Sequence, residues 1–273
     1  MPTLSPTLRT SLTLIANFAE RESKARYKRS ILGWLWSLIN PLTTVAIYSL
    51  VFGVIYRAAP PVTDNGKAET FALYLFSGLV AWNLFLGVLN GAMDWLAGVS
   101  DLRKKIYFPT ETAILGGAVS TLIQSGLEAL VLVGIMVVLG NVSWTFVFLP
   151  VALLLIAAFG LGIGFIVSIL NARYRDVRYL VGIATSVMFF LVPIVFTIDI
   201  VPEDSSDTFG LPVRTFIEIN PLNQFVQIAR DAVYFLDVPS LGNVLAAVAW
   251  ATVSLVPGWV YFRKRSMEIS EEP

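Results

Sequence analysis

The chain has 273 residues, of which 56% are hydrophobic and only 14% charged, with a mean hydropathy of +0.74. That balance lies outside the range of soluble domains, and a net charge of zero offers nothing to nucleic acid. With neither cysteine nor histidine present, a disulfide framework, thiol chemistry, an imidazole base and any His- or Cys-ligated metal or haem are excluded.

Residues 1–30 open on Ser5-Pro6, a cap followed by a proline suited to a first helical turn. Leu4, Leu8, Leu12, Ile15 and Phe18 then recur at helical spacing, with Arg9, Arg21 and Lys24 on other faces. The pattern predicts an amphipathic helix, either lying in the cytoplasmic membrane interface with its apolar face down or facing solvent as a leader. The interfacial reading is preferred because a membrane span follows without a linker. In Arg26-Tyr-Lys-Arg-Ser-Ile-Leu-Gly-Trp-Leu-Trp-Ser-Leu-Ile-Asn-Pro41 the charges Arg26, Lys28 and Arg29 stop abruptly and Trp34 and Trp36 follow, as where a cytoplasmic anchor enters a bilayer. Pro41 predicts a bend that splays the lower part of this first span.

Six apolar runs follow, about Ile31–Tyr56, Phe71–Leu96, Thr112–Leu139, Trp144–Leu170, Tyr179–Ile198 and Leu241–Phe262. Each is long enough to cross ~30 Å of hydrocarbon as helix. With the N-terminus inside, the basic residues collect at 9–29, 103–105, 173–178 and 263–265, and only Arg57, Lys67, Arg214 and Arg230 fall outside. This sorting predicts six transmembrane helices with both termini cytoplasmic. The segment 199–240 is the longest outside. Asp199, Glu203, Asp204 and Asp207 make an acidic, turn-rich start, and Asn220-Pro221 then interrupts apolar residues too few to span. Two short helices fit it, either dipping into the outer leaflet or lying on the surface.

The inside segment 100–109 holds Asp101, Arg103, Lys104 and Lys105, then Ile106, Tyr107 and Phe108, expected to be exposed, and Pro109. Topological charge with interface aromatics accounts for the run; a short helix docking on a cytoplasmic partner accounts for the aromatics as well. Between the fourth and fifth runs, Arg173, Tyr174, Arg175, Asp176 and Arg178 crowd one loop, with Asp176 spaced to pair with Arg173 on a helix. Topology explains the arginines, though not their company. Within the spans, Gln124 and Glu128 lie one turn apart and Asp94 sits near a cytoplasmic end. A carboxylate at depth is costly unless it faces protein or water. Glu128 with Gln124 is therefore a channel candidate, or else a neutral, hydrogen-bonded structural group. Trp34 and Trp36 belong to the aromatic belt or line a channel where rings stack on sugars. Gly160-Leu-Gly-Ile-Gly164 sits mid-span with no lysine after it, which points to close helix packing rather than a phosphate loop. No G-x-x-x-x-G-K-[ST] sequence occurs, so the chain has no ATP loop of that kind and is not an enzyme in its own right; another chain must power it.

The stretch from Arg26 to Leu42 closely resembles the entry to the first span of ABC-2 type export permeases. The subgroup it looks like exports polyprenyl-diphosphate-linked polysaccharides of the O-antigen, galactan, capsule or teichoic acid type. Tyr107-Phe-Pro109, Arg173-Tyr-Arg-Asp-Val177, Pro193…Phe196…Val201-Pro202 and Asn220-Pro221…Arg230-Asp231 follow in order, with Phe196 where the family pattern has tyrosine. The resemblance implies an all-α polytopic membrane protein in the bacterial cytoplasmic (inner) membrane, a single transmembrane domain over 1–273. It implies a homodimer forming a channel through membrane lipid, above two copies of a cytoplasmic ABC ATPase. That partner would hold the ATP and Mg²⁺; this chain would bind no cofactor and no metal. Asp101, Arg103, Lys104, Lys105, Tyr107, Phe108 and Pro109 would form a coupling helix in the ATPase groove. Residues 172–178, with Arg173, Tyr174, Arg175 and Asp176, would form a gate helix near a lipid-diphosphate entrance shared with Arg26, Lys28 and Arg29, where arginine suits phosphate. Asn220, Pro221, Arg230 and Asp231 would belong to a re-entrant outer gate. An ABC-2 exporter of drugs or other lipids is the nearest rival. A membrane-embedded lipid-linked sugar transferase is the rival of another class, disfavoured because the inside loops carry only Asp101 and Asp176 as aspartates.

Overall fold

The computed structural model describes residues 6–63, 65–106, 108–202 and 212–266, with side chains from residue 9. Leu4, Ser5, Tyr107, Glu203, Asp204 and Asp207 lie outside the described residues, and of Leu8 only the backbone is described. Helix α1 is described over Pro6–Arg26, and the predicted cap Ser5 lies outside the described residues. Arg29 and Gly33, both with left-handed backbone (φ 63 and 49), turn the chain into the first apolar run. That run is a 3-10 turn (Gly33–Leu35), α2 (Trp36–Tyr48) and a π-helical segment (Ser49–Ile55), and it passes through Pro41 without a break in helix. Then come α3 (Phe71–Ala97), α4 (Ser100–Arg103), α5 (Glu111–Val138), α6 (Phe148–Arg173) and α7 (Val177–Phe190). Last are α8 (Val213–Ile219), α9 (Pro221–Arg230), which runs on into a π turn (Asp231–Phe235), and α10 (Leu241–Arg265).

Among the described residues, five helical segments are long and apolar enough to cross a membrane: 33–55, 71–97, 111–138, 144–173 and 241–265. The fifth apolar run departs from expectation. Its helix α7 has 14 residues and rises only ~21 Å, and the chain turns at 191–196 where a continuous span to Ile198 was predicted. Pro193 supplies the reason, since it lacks an N–H and disfavours helix in the residue before it.

Helix α3 is the axis of the core, packed against α5, α6 and α9. The glycine run does what close packing requires. A Cβ on Gly164 would sit 2.8 Å from the Ala92 Cβ on α3, and one on Gly162 only 2.2 Å from the Ser254 carbonyl carbon on α10. Alternate glycines of α6 therefore let it press on two helices at once. Aromatic contacts fill the rest, Phe159 lying between Phe85 of α3 (5.8 Å between centroids) and Phe225 of α9 (5.3 Å).

Candidate functional site

From Leu84 to its end, every residue of α3 is buried except Leu86, Gly87, Asn90, Gly91, Asp94 and Ala97, which with exposed Asn83 form one stripe at helical spacing. A second stripe on α5, Thr121, Gln124, Ser125 and Glu128, faces it, and Glu22 and Arg26, one turn apart on α1, close the third side. Together they enclose a groove of about 320 Å³, with Trp95 in its wall. Asn83 lies eleven residues from Asp94, so the groove reaches ~16 Å from near the C-terminal end of α3 towards its middle. At its inner end the Glu128 side chain lies beside Gln124 and Asn83 and feels the charge of Arg26. Gln124, Glu128 and Arg26, assigned to two separate roles from sequence, thus share one site. Asn83, Asn90 and Glu22 were missed; the signal was the i, i+3, i+4 recurrence of polar and glycine residues in α3. Trp34 and Trp36 are not in the groove and stand 60% and 41% exposed on the first span.

Helix α1 is pinned to α5 along its length. Tyr27 Oη donates to Gln124 Oε1 at 2.5 Å and Ser37 Oγ to the same oxygen at 3.2 Å, so one amide ties α1, α2 and α5 together. The hydroxyls of Ser23 and Ser120 are 2.8 Å apart, and a Cβ on Gly116 would meet the Phe18 Cβ at 2.5 Å. The inner half of the apolar face of α1 is therefore covered by protein, where sequence reading placed it down in the interface. Phe18 pairs with Phe108, centroids 5.7 Å apart, over a small cluster with Val99 and Ala113.

That contact corrects the expectation for the loop, because Phe108 is buried (9% exposed) and fixes the loop to α1. Lys104, Lys105 and Ile106 carry the exposed surface, Ile106 at 54%, beside exposed Asp101. Helix α4 is one turn long. Arg103 is half-buried, and that burial holds its guanidinium below the usual value. Pro109 O accepts from Thr112 Oγ1 at 2.6 Å, opening α5.

The segment 172–178 is not a helix of its own. Helix α6 runs to Arg173, Tyr174 is extended, and α7 starts at Val177. Arg173, Tyr174, Arg175 and Asp176 are all exposed. Arg173 lies over the Tyr174 ring, 5.6 Å from its centre, and among the described residues no ion pair joins Asp176 to Arg173. The pairing that forms is Arg178 with Asp94, which ties α7 to the mouth of the groove. Lys28 and Arg29 sit exposed in the turn after α1.

On the far side, two short helices meet at Asn220-Pro221, as the sequence predicted. Asn220 caps α9 by accepting from the Leu222 N–H at 3.0 Å, with Pro221 in the first turn. Its amide also donates to Leu191 O at 3.3 Å. At the other end of α9, Arg230 (1% exposed) donates to Pro193 O, to Ile194 O at 3.0 Å and to the Tyr74 hydroxyl at 2.9 Å, its guanidinium 3.8 Å from the Tyr74 ring centre. The carbonyls freed where Pro193 ends α7 are thus taken by the two ends of α9. Asp231 accepts from Gln227 Nε2 at 2.7 Å. The next carbonyls are met in turn: Ala232 O by Thr145 at 2.8 Å, and Val233 O and Tyr234 O by Asn141 at 3.2 and 3.3 Å.

A model of the family described as ABC-2 type transporter matches residues 13–234. Among curated relatives, an O-antigen export system permease protein RfbA of Myxococcus xanthus is 26% identical over 263 residues, 94% of each chain. A protein of the same description from Klebsiella pneumoniae is 27% identical over 225 residues, 80% of this chain and 79% of that one. Polysialic acid transport protein KpsM of Escherichia coli is 25% identical over 261 residues, 90% of each.

Proposed function

The chain belongs to the ABC-2 type transporter family, and from that premise we propose that it is the membrane subunit of an exporter that moves a polyprenyl-diphosphate-linked polysaccharide outward across the bacterial cytoplasmic membrane. The observation that carries the reading is the polar stripe on α3. A ladder of Asn83, Asn90 and Asp94 on an otherwise buried apolar helix cannot face lipid without heavy cost, so it faces water or passing substrate. The curated relatives named for O-antigen and polysialic acid supply the substrate class. Two copies of this chain form the path. The first span, with only Ser37 and Pro41 buried, and α7, with none, offer the unburied faces that such pairing uses. A separate ATPase binds beneath and holds ATP and Mg²⁺. Both termini lie on its side by the charge asymmetry, which makes α7 and the turn at 191–196 a sixth crossing beside the five long helices. The α8–α9 pair dips into the outer leaflet and returns, and the burial of α9 against α3, α6 and α10 encloses that part of the pair in protein, as backbone at such depth requires.

Deleting the gene in its host is expected to remove the polysaccharide from the cell surface and leave lipid-linked glycan inside; unchanged surface polysaccharide overturns the reading. Docking rests on the exposed part of the 100–106 loop. The triple variant Lys104→Glu, Lys105→Glu, Ile106→Asp is expected to cut co-purification of the ATPase at least tenfold with the permease's thermal midpoint unchanged. Phe108→Ala instead lowers that midpoint, because it empties the contact with Phe18. Undiminished co-purification of the triple variant removes the docking assignment. Arg173→Ala combined with Arg175→Ala is expected to lower export severalfold with assembly intact, since both guanidinium groups are exposed and free to meet a diphosphate; normal export in that variant reduces the loop to topology.

A further inference from the structure

We propose that the groove between α1, α3 and α5 is a saccharide subsite, in which an uncharged, hydroxyl-rich ring is held at the depth of Asn83 and Glu128. The step rests on the export reading above and assigns it a place in this chain.

The chemistry of the inner end selects the ligand. Its lining offers Asn83, Gln124, Ser125 and Glu128, a set that both donates and accepts hydrogen bonds. Gln124 Oε1 is already occupied by Tyr27 and Ser37, which fixes the amide with its N–H groups towards Glu128. Glu128 lies beside the amides of Gln124 and Asn83 in the lining, and its carboxylate has acceptor capacity for a hydroxyl pair. Arg26 is the one cation in the lining, and its charge reaches Glu128, the one carboxylate at the inner end. The two opposite charges offset each other at that end, and with the amides of Asn83 and Gln124 and the Ser125 hydroxyl around them it suits neutral hydroxyls. No group of residues suited to a metal ion occurs among the described residues. The volume of about 320 Å³ falls at the lower end of the roughly 300–1,000 Å³ usual for small-ligand sites. Asn90 and Asp94 continue the ladder about two and three turns on towards the C-terminal end of α3, so a glycan chain meets polar groups along the whole stripe.

The absence of native cysteine permits a direct test. Asn83→Cys and, as a second position should that variant fold poorly, Asn90→Cys are made in the full chain and purified with the ATPase partner in lipid nanodiscs. The rate of labelling by a membrane-impermeant maleimide is then measured. Undecaprenyl diphosphate bearing one N-acetylglucosamine is expected to slow labelling at least fivefold, with undecaprenyl diphosphate alone slowing it less than twofold. Val142→Cys, exposed between α5 and α6, is expected to label at one rate throughout. Equal protection by both lipids assigns the groove to the carrier and overturns the saccharide subsite; protection by millimolar ethanolamine instead assigns an amine site and overturns it; no protection at either position overturns it as well. Any of these with surface polysaccharide still dependent on the gene leaves export standing, whereas surface polysaccharide independent of the gene removes the export reading itself.

Discussion

Gly162→Leu is expected to abolish recovery of folded chain. A Cβ on Gly162 would lie 2.2 Å from the Ser254 carbonyl carbon, and one on Gly258 would lie 2.1 Å from Gly162 O. Both obstacles are backbone, so no rotamer change relieves them; α6 and α10 must move apart. Ordinary overpacking in a core costs about 1–3 kcal/mol, and here the separation would also pull Phe165 from Trp259 and Phe262, now 5.3 and 5.0 Å away. Marginal stability does not absorb such a sum. The proper control is Gly126→Leu in α5, where nothing stands within 4 Å. The measurement is the monodisperse fraction on size exclusion in detergent, followed by its thermal midpoint. A Gly162→Leu protein as abundant and stable as Gly126→Leu would show that α6 and α10 do not pack as described.

The same glycines mark how far the sequence could be followed. Gly160, Gly162 and Gly164 announce close packing because small residues in a span have few other uses, but which helix each one meets depends on tertiary arrangement. The break at Asn220-Pro221 was legible because capping is local chemistry, written within four residues. The end of α7 was half legible. Pro193 signals a break, yet hydropathy continues past it, and a window of apolar residues does not distinguish a span from a short helix followed by a turn. Phe108 was misjudged for a related reason. A basic neighbourhood suggests exposure, but Phe18, ninety residues away, covers the ring. The groove lay between these cases. Gln124 and Glu128 stand out because charge and amide are rare at depth, while Asn83 and Asn90 pass as ordinary polar interruptions until the faces of α3 away from their stripe are seen to be buried.

Arg230→Met is expected to lower the thermal midpoint by on the order of 5–10 °C, the scale of a loss of about 2–3 kcal/mol in a chain of this size. Two effects oppose each other. Removing a fully buried guanidinium relieves its desolvation cost, which is why exchanging a buried charge for an apolar side chain is sometimes neutral. Against that, Pro193 O and Ile194 O lose their donors, and each buried group left without a partner costs about 1–3 kcal/mol. Tyr74 does not add to the loss, because its hydroxyl still donates to Phe196 O at 3.2 Å. Two orphaned carbonyls at a proline-broken helix end outweigh one desolvated charge, so the sign is destabilising. Gly78 tests the geometry independently. A Cβ there would sit 2.7 Å from the Arg230 Nη2 and 3.3 Å from its Cζ. The end of an arginine ordinarily swings away from such a contact, but this one can do so only by releasing the same carbonyls. Gly78→Ala is therefore expected to destabilise the native chain and to cost almost nothing once Arg230 is methionine, a non-additivity of 1 kcal/mol or more, within the about 0.5–3 kcal/mol seen for residues in contact. Strictly additive effects of the two substitutions would mean that Arg230 does not join α9 to the end of α7.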